Sequence, residues 1–508
     1  MNAKRGFGNV IMNILSQIVT LVLGIVIPRL ILVNLGSEAN GLLTSVSQVL
    51  VYVALLEAGI GTASLQALYG PVAKDDKTAI SEILSATNHF YRRTGKIYFA
   101  VVLLLTFIFP FTIHSELPRA TIMWVMFLSG APGVVNYYVQ GKYRILLQAE
   151  GKEYIYTALF TVIHIFTSLS KIVLLLRGYD VVALQLMYLI FDLIQVVCIV
   201  IYIKRHYKWL DLHVKPNYSA ISQSKNVLTH QVSGLIFNHT DALVLTYFCG
   251  LKTVSVYSMY SMLFSMVDTV IGNFFGVNFI LGQTFHTDQK KYLQMHDVYE
   301  LYIMTLSFSL FCIAVIFILP FMVLYTGDVS DIDYIDQLLP ILFVATYLLS
   351  KGRTASMQVI NFAQHFKQTQ WHAIVESAIN IGVSLLAVYK FGIYGVLVGT
   401  IAALLFRTNA MIIYANKHIL HRSSWITYRR WLLNLALFIG ITLLSKAVFA
   451  HIALDSYFSI IAWAAVCCVV IIPFFFVTVS LFDRETYRFA KELLTPYAKS
   501  ALAKLKRS

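Results

Sequence analysis

Charged residues are scarce: Asp, Glu, Lys and Arg make up 13% of the 508 residues, about half the roughly 25% that is typical of soluble domains. Hydrophobic residues reach 58%, and the mean hydropathy is +0.72. A soluble fold must cover its surface with polar groups, so this composition excludes an ordinary soluble enzyme, a disordered chain and a collagen-like chain. The few charges are mostly basic, because 39 Lys and Arg oppose 25 Asp and Glu, a net charge of +14. In a membrane protein this excess fits basic loops at an anionic membrane surface, so we expect no nucleic acid binding.

Cysteine is also scarce, and the motifs of common enzymes are absent. The five cysteines lie within apolar stretches and form no C-x-x-C pair, so we expect neither disulfides nor a bound metal. The sequence contains no Walker A phosphate loop, no G-x-S-x-G and no H-E-x-x-H. We therefore predict that the protein is not an enzyme and needs no cofactor. Its energy would come from an ion gradient, the membrane potential or the substrate gradient.

Long apolar runs make up most of the chain. A helix of about 20 mostly apolar residues crosses the roughly 30 Å hydrocarbon core of a bilayer, and fourteen such segments are present. They lie near residues 8–33, 40–66, 95–115, 119–141, 153–176, 180–203, 226–249, 253–279, 297–325, 337–361, 370–390, 392–416, 431–450 and 456–481. The first has no small-residue cleavage site, so we interpret it as a spanning helix and not as a signal peptide. The sequence thus predicts an all-α polytopic membrane protein.

Lys and Arg concentrate on one side of these predicted spans. With the N-terminus in the cytoplasm, roughly 29 of the 39 basic residues fall in cytoplasmic segments. The outer loops are short, at most about a dozen residues, which leaves no room for an external catalytic domain. We therefore predict that both termini lie in the cytoplasm. The cytoplasmic segment 77–93 and the basic C-terminal tail have the spacing of amphipathic helices at the membrane surface.

Two parts of the chain resemble each other. The segment PRLILVNLGSEANGLLTSVSQ matches TDALVLTYFCGLKTVSVYSMYS when Gly36 is placed on Gly250, and AKDDK (73–77) then falls near HTDQK (286–290). Internal duplication of this kind is common in secondary transporters, whose two halves rock around a site near the membrane midplane. We predict two six-helix lobes, residues 1–216 and 217–425. Residues 426–508 add a helix pair and a basic cytoplasmic tail.

The same segments carry a family resemblance. PRLILVNLGSEANGLL, LLEAGIGTASLQALYGPVAKDDK and TDALVLTYFCGLKTVSVYSMYSML resemble polysaccharide biosynthesis proteins, the lipid-linked oligosaccharide flippases of the multidrug/oligosaccharidyl-lipid/polysaccharide exporter superfamily. The resemblance implies a MATE-like fold with a central cavity, in the bacterial inner membrane. It also implies transfer of an undecaprenyl-diphosphate-linked oligosaccharide to the outer face, for cell-surface polysaccharide biosynthesis. A multidrug/cation antiporter of the same superfamily is the alternative.

Ionisable residues within the spans are the candidate site. Each costs about 2.5–3.5 kcal/mol to insert, so each should face a cavity or a partner. Because fixed cations suit a diphosphate, the candidate substrate-binding residues are Arg29, Lys171, Lys351, Arg353 and Arg407. Snorkelling of Arg29 and a structural pair between Lys171 and Asp192 are alternatives. Lys351 and Arg353 point apart on a regular helix, so both face one cavity only if Gly352 unwinds it.

The acidic residues within the spans raise the question of energy coupling. The candidates for taking up a proton or a cation are Glu57, Asp241 and Asp192. Pairing with nearby cations to hold helices together is an equally good explanation of the first two. The partners that we expect are a polyprenyl-diphosphate-linked glycan and membrane lipids. A polysaccharide polymerase and glycosyltransferases are candidate protein partners.

Overall fold

The computed structural model describes the backbone of residues 3–57, 59–274 and 278–505, and side chains for residues 12, 15–57, 59–221, 234–235, 239–272, 280–493 and 495. It divides into two compact units. Unit 1 comprises Met1–Ser258 and Asp328–Ile332, and unit 2 comprises Met259–Gly327 and Asp333–Ser508.

Within its described residues, unit 1 contains eight helices and the start of a ninth. They are α1 (Ala3–Ala54), α2 (Ile60–Ala73), α3 (Lys77–Thr112), α4 (Arg119–Val135), α5 (Gly141–Ala149), α6 (Glu153–Leu176), α7 (Val181–His206), α8 (Lys225–Phe248) and α9 (Leu251–Phe274), which continues into unit 2. A π-helical turn at Asn136–Gln140 joins α4 to α5 without ending the helical rod. Helix α1 is kinked at Gly36, whose φ is +82°.

Unit 2 continues with helices of the same kind. Over the residues that the structure describes they are α10 (Asn278–Thr287), α11 (Gln289–Thr326), α12 (Leu339–Gly352), α13 (Thr354–Phe362), α14 (Phe366–Phe391), α15 (Ile393–Tyr414), α16 (Trp425–Phe449), α17 (Tyr457–Phe482) and α18 (Arg484–Leu505). The predicted basic tail is thus a helix, α18.

The described helices fall on all fourteen spans that the sequence predicts. Eleven segments are long and apolar enough to span a bilayer. The first, Leu15–Glu57, has 43 residues, about 65 Å of helix at 1.5 Å per residue, which makes two crossings separated by the kink at Gly36. Helix α8 and the interrupted pair α12–α13 supply two more. The protein is therefore an all-α polytopic membrane protein.

Two predicted spans differ from the helices that form. The predicted span 40–66 is interrupted by a 3-10 turn at Leu55–Glu57 and by Gly59, whose φ of +88° does not continue a right-handed helix. The predicted surface helix 77–93 and the predicted span 95–115 form one helix instead, α3. Pro and Gly are the residues that usually break a helix. The only such residue at the junction of the two predicted segments is Gly95, and α3 continues through it.

The internal repeat is visible in matching local geometry. Gly36 and Gly250, which the sequence alignment superimposes, both have φ of +82°. Asp76 and Asp288, in the two aligned loops, both cap a long helix, because their carboxylates accept from the backbone N–H three residues later at 3.0 Å. The capped helices α3 and α11 have 36 and 38 residues. These positions therefore have the same local geometry in the two segments that the sequence aligns.

Close backbone approach and hydroxyl contacts hold α1 against the α8–α9 hairpin within unit 1. A Cβ on Gly41 would lie 1.9 Å from the carbonyl oxygen of Leu251, so only glycine fits there. Nearby, the hydroxyls of Ser45 and Thr246 are 2.6 Å apart and buried. Small and hydroxyl-bearing residues at such contacts are typical of helix packing in membranes.

Aromatic side chains form much of the core of unit 2. The rings of Phe264 and Phe343 stack with centroids 6.0 Å apart, and Phe264 also stacks on Tyr347 at 5.9 Å. Phe264 and Phe343 are buried. This stack fixes α9 against α12 and so positions the end of α12, where two of the predicted site cations lie.

Candidate functional site

Two of the predicted cations share one carboxylate in unit 2. Arg353 donates a charge-assisted hydrogen bond from Nη1 to Oε1 of Glu376, and Arg407 Nε lies 3.7 Å from Glu376 Oε2. Glu376 and Arg407 are buried, and Arg407 Nη1 also donates to the backbone oxygen of Thr369 at 3.2 Å. Two guanidinium groups and one carboxylate give these three side chains a net charge of +1.

A third predicted cation, Lys351, lies close in sequence but contacts a different carboxylate. Its Nζ is 2.9 Å from Oδ1 of Asp268 on α9. Gly352 is the last residue of α12 and α13 begins at Thr354, so only Arg353, whose φ is −91° and ψ −8°, separates the two helices and Gly352 itself is not unwound. A Cβ on Gly352 would lie 2.2 Å from the indole nitrogen of Trp431, which is why glycine occupies this position. Lys351 and Arg353 bind carboxylates on different helices, α9 and α14.

The two predicted cations of unit 1 lie apart from each other. Arg29 Nη2 is 3.4 Å from Oδ2 of Asp328, and the two side chains are 31% and 66% exposed, so this is a partly solvated pair. Lys171 Nζ lies 5.1 Å from the ring centroid of Tyr188. No ion pair within 4.0 Å joins the described side chains of Lys171 and Asp192, so the suggested structural pair does not form. A cation–π contact takes its place.

The carboxylates that we considered for coupling lie in unit 1. Glu57, in the 3-10 turn after α1, accepts a hydrogen bond at Oε1 from the hydroxyl of Tyr91. Asp241 is 4% exposed, and its Oδ2 accepts from the hydroxyl of Tyr257 at 3.3 Å. Phenol donors stabilise a carboxylate without neutralising it, so both groups keep the capacity to bind a proton or a cation.

The third coupling candidate, Asp192, lines a cavity. The cavity has a volume of about 270 Å³ and lies within unit 1, where α4, α6 and α7 surround it. Gln140, Tyr156 and Gln195 share its wall with Asp192. Asp192 Oδ2 and Gln140 Oε1 are buried and have no hydrogen-bond partner in the described structure. This cavity was not predicted, because its wall combines residues from three helices whose packing the sequence does not reveal.

Sequence reasoning also missed a buried ammonium group, that of Lys142. Lys142 is 5% exposed, and its Nζ donates to Asn88 Oδ1 at 2.7 Å and to the backbone oxygen of Tyr138 at 3.0 Å. Both partners are neutral, and the ion pairs of the described residues do not include Lys142. The guanidinium of Arg92 is near enough to repel it electrostatically. Lys142 Nζ also lies 5.2 Å from the ring centroid of Tyr143, so, like Lys171, it has a cation–π contact but no carboxylate partner among the described side chains.

The reason that Lys142 escaped attention is the predicted end of its span. We placed that end at residue 141, which leaves Lys142 in a basic cytoplasmic connection. The π turn at Asn136–Gln140 instead lets the helical rod continue to Ala149. The apolar residues Ile145 and Leu146 were the available signal, since they show a packed face one turn beyond Lys142.

A second missed feature is a buried ionic network in unit 2. Arg430 Nη1 lies 2.7 Å from Asp297 Oδ1 and 2.6 Å from Glu300 Oε2, and its Nη2 lies 2.9 Å from Asp483 Oδ2. Arg422 contacts the same two acids of α11, with Glu300 at 3.2 Å. The network attaches the last helices, α16 to α18, to α11. Arg429 Nη2 lies 3.9 Å from Asp483 Oδ2, so three arginines face three carboxylates, and the network fixes helices together without excess charge for a ligand.

Comparison with known proteins identifies the fold. Neither the protein-family models nor the curated protein sequences give a match. Among solved structures, the lipid II flippase MurJ in an inward closed conformation is similar, with a TM-score of 0.67, 13% identity, and coverage of 94% of this chain and 98% of that one. An inward-facing MATE family multidrug resistance transporter of the MOP superfamily gives 0.62 at 13% identity, over 78% of this chain and 94% of the other.

A third structure agrees with these two. The MATE multidrug transporter DinF-BH in complex with R6G gives a TM-score of 0.57 at 12% identity, over 81% of this chain and 95% of the other. The chain thus has the MurJ and MATE fold. The similar structures are a flippase and transporters, not enzymes.

Proposed function

We propose that this protein is a flippase that moves an undecaprenyl-diphosphate-linked oligosaccharide from the cytoplasmic to the outer face of the bacterial plasma membrane. It does so by exposing its binding residues alternately to the two sides, and both its termini are cytoplasmic. Glycosyltransferases supply the lipid-linked glycan, and a polysaccharide polymerase consumes it on the other side. The product contributes to cell-surface polysaccharide.

The observation that carries this proposal is the buried positive charge within the helices. Arg353 and Arg407 share the one carboxylate of Glu376, and Lys142 contacts Asn88, the backbone oxygen of Tyr138 and the ring of Tyr143, all of them neutral. A buried cation is costly unless an anion approaches it. Either place suits a phosphate group, since guanidinium and ammonium groups are its usual protein ligands.

The fold supports the same substrate class. The likeness to the lipid II flippase extends over 94% of this chain, whereas the MATE transporters match 78% and 81% of it. The lipid II flippase is therefore a better template for the length of this chain than the two MATE transporters. A drug antiporter would also favour an acidic site over one with excess positive charge.

The driving force enters through the carboxylates of unit 1. Glu57 and Asp241 each accept a hydrogen bond from a phenol, and binding of a proton or a metal cation would change their charge. A change of charge in a poorly solvated place shifts the balance between two conformations. Asp192 is a further candidate, because one of its oxygens has no partner.

The experiment is to delete the gene and identify the lipid-linked glycan that accumulates, by mass spectrometry of extracted lipids. The intermediate should accumulate on the cytoplasmic side, and the wild-type gene should restore export. Arg407→Ala and Lys142→Met should each lower export about tenfold or more while membrane abundance stays normal. That size follows from losing one charge-assisted contact of about 1.5–3 kcal/mol.

Lys446→Met is the matched control, because Lys446 is exposed near the end of α16 and should not affect export. Normal export in both the Arg407 and the Lys142 variants would remove these residues from the site. Deletion without any accumulated lipid-linked glycan would refute the flippase proposal. If the deletion strain instead became sensitive to cationic dyes, the multidrug/cation antiporter would replace it.

A further inference from the structure

One ion pair within the spanning helices of unit 2 is partly exposed. Lys351, near the end of α12, places its Nζ 2.9 Å from Oδ1 of Asp268 on α9. The two side chains are 17% and 32% exposed. In the nearby pair of Arg353 and Glu376 the side chains are 15% and 8% exposed. The carboxylate of Asp268 is therefore accessible, whereas that of Glu376 is enclosed.

Both members of this pair lie at membrane depth. Lys351 follows Leu339, the first residue of α12, by twelve residues, which is about 18 Å of helix at 1.5 Å per residue. Asp268 follows Leu251, the first residue of α9, by seventeen residues, or about 26 Å. The predicted topology places both of these helix starts outside, so the pair lies in the cytoplasmic half of the roughly 30 Å hydrocarbon core. A charge exposed to acyl chains there is costly, so the exposed side of the pair faces water.

The face of α9 that carries Asp268 is polar over two turns. Ser261 and Ser265 precede Asp268 by seven and three residues, which places all three on one side of the helix. Ser265 is exposed. On the neighbouring side of the helix, Phe264 is buried and stacks on Phe343 of α12. One side of this spanning helix thus packs within unit 2, and the polar side next to it is solvated.

The chemistry of Lys351 favours exchange of its anionic partner. An ammonium on a flexible stem binds as a point charge, without the fixed bidentate geometry of a guanidinium, and carboxylate and phosphate oxygens are both charge-assisted acceptors for it. Displacement of Asp268 would leave its carboxylate on the solvated side of α9, where water hydrates it. Displacement of Glu376 from Arg353 and Arg407 would instead leave a buried charge unpaired, which is strongly unfavourable.

We infer that Asp268 is a displaceable counter-ion: it neutralises Lys351 when no substrate is bound, and a phosphate of the substrate takes its place. This inference rests on the proposed function, since the phosphate belongs to the diphosphate-linked glycan. Asp268 is thus a positioning residue that sets the affinity for the substrate, because it competes with the phosphate for one cation.

Binding of undecaprenyl diphosphate to the purified full chain in detergent, measured by microscale thermophoresis, tests this exchange. Asp268→Asn removes the competing charge and should tighten binding about tenfold, the effect of about 1.4 kcal/mol. The amide oxygen of asparagine still accepts from Lys351, so this variant should fold, and gel filtration checks it. Lys351→Met should weaken binding about tenfold or more. In the Lys351→Met background, Asp268→Asn should tighten binding less than threefold, because the cation for which the two anions compete is gone.

Asp455→Asn is the matched control, because Asp455 is exposed in the connection between α16 and α17; it should bind the probe like the wild type. Undecaprenol, which has the same tail and no phosphate, should bind equally to the wild type and to Asp268→Asn.

Three results would overturn the inference. They are unchanged or weaker binding of undecaprenyl diphosphate in Asp268→Asn, equal tightening by Asp268→Asn with and without Lys351, and no binding of the probe to the wild-type chain. The proposed function is tested separately by the lipid that the deletion strain accumulates, so the two failures are distinguishable.

Discussion

Replacing Glu376 with glutamine removes the carboxylate that Arg353 and Arg407 share. At the 3.7 Å between Arg407 Nε and Glu376 Oε2, the attraction is about 4 kcal/mol for an effective dielectric constant of 20, and the Arg353 contact is similar. Glutamine recovers the several kcal/mol spent on desolvating the carboxylate, but it leaves two guanidiniums close together. We expect a net loss of about 3–5 kcal/mol in the free energy of unfolding, the usual cost of breaking a buried pair.

The assay is thermal unfolding of the purified protein in detergent. The measured quantity is the fraction of protein that still elutes as a monodisperse peak in gel filtration after heating. Glu376→Gln should lower the midpoint by several degrees, whereas Glu485→Gln, an exposed change on α18, should leave it unaltered. The double variant Glu376→Gln/Arg407→Met restores the original charge of the cluster, +1, and should regain part of the loss. The double variant would still lack Arg407, so export should stay low although part of the stability is regained.

Two results would refute this reasoning. A midpoint for Glu376→Gln equal to that of the wild type would mean that the three side chains are not a buried ionic cluster. A double variant as unstable as the single one would mean that the shape of the side chain, and not its charge, explains the effect.

Two further predictions concern unit 1. Gly41→Ala should destabilise the protein by about 1–3 kcal/mol, because the new Cβ would meet the backbone oxygen of Leu251. Gly70→Ala is the control, since a Cβ there meets nothing within 4 Å and should cost no stability. Equal thermal unfolding midpoints for the two variants would contradict the close approach. Asp331→Ala should lower the free energy of unfolding by about 1–3 kcal/mol. The Asp331 carboxylate accepts hydrogen bonds from Ser37 N at 2.8 Å and from Ser37 Oγ at 2.6 Å, just after the kink in α1. An unchanged thermal unfolding midpoint would show that these hydrogen bonds do not stabilise the protein.

Much of the fold was predictable because hydropathy and local backbone chemistry act over short distances. Apolar segments of about 20 residues must become helices in a bilayer, since no water is present to satisfy a bare backbone. The alignment of Gly36 with Gly250 predicted a repeat, and both glycines have a left-handed φ of +82°. The interruption at Gly59 was harder to foresee, since a glycine within an apolar span is often tolerated.

The site residues were predicted less completely, for a physical reason. Arg353 and Arg407 are functional candidates because a charged side chain within a span is costly to insert into the membrane. The sequence does not say which carboxylate each arginine contacts. Asp192 illustrates the limit, because the expected partner, Lys171, contacts Tyr188 instead. Lys142 shows the converse, since a residue expected in a solvated connection is buried.

The sequence alone determined the class of the protein, the places of its apolar helices and the excess of positive charge. These follow from composition and from periodicity along the chain, which packing does not change. Only the tertiary structure decided which charges are offset and which are not, and only it assembled the cavity of unit 1 from three helices. Neutralisation and cavity formation depend on distances of a few ångströms between residues far apart in the chain, and those distances are fixed by helix packing alone.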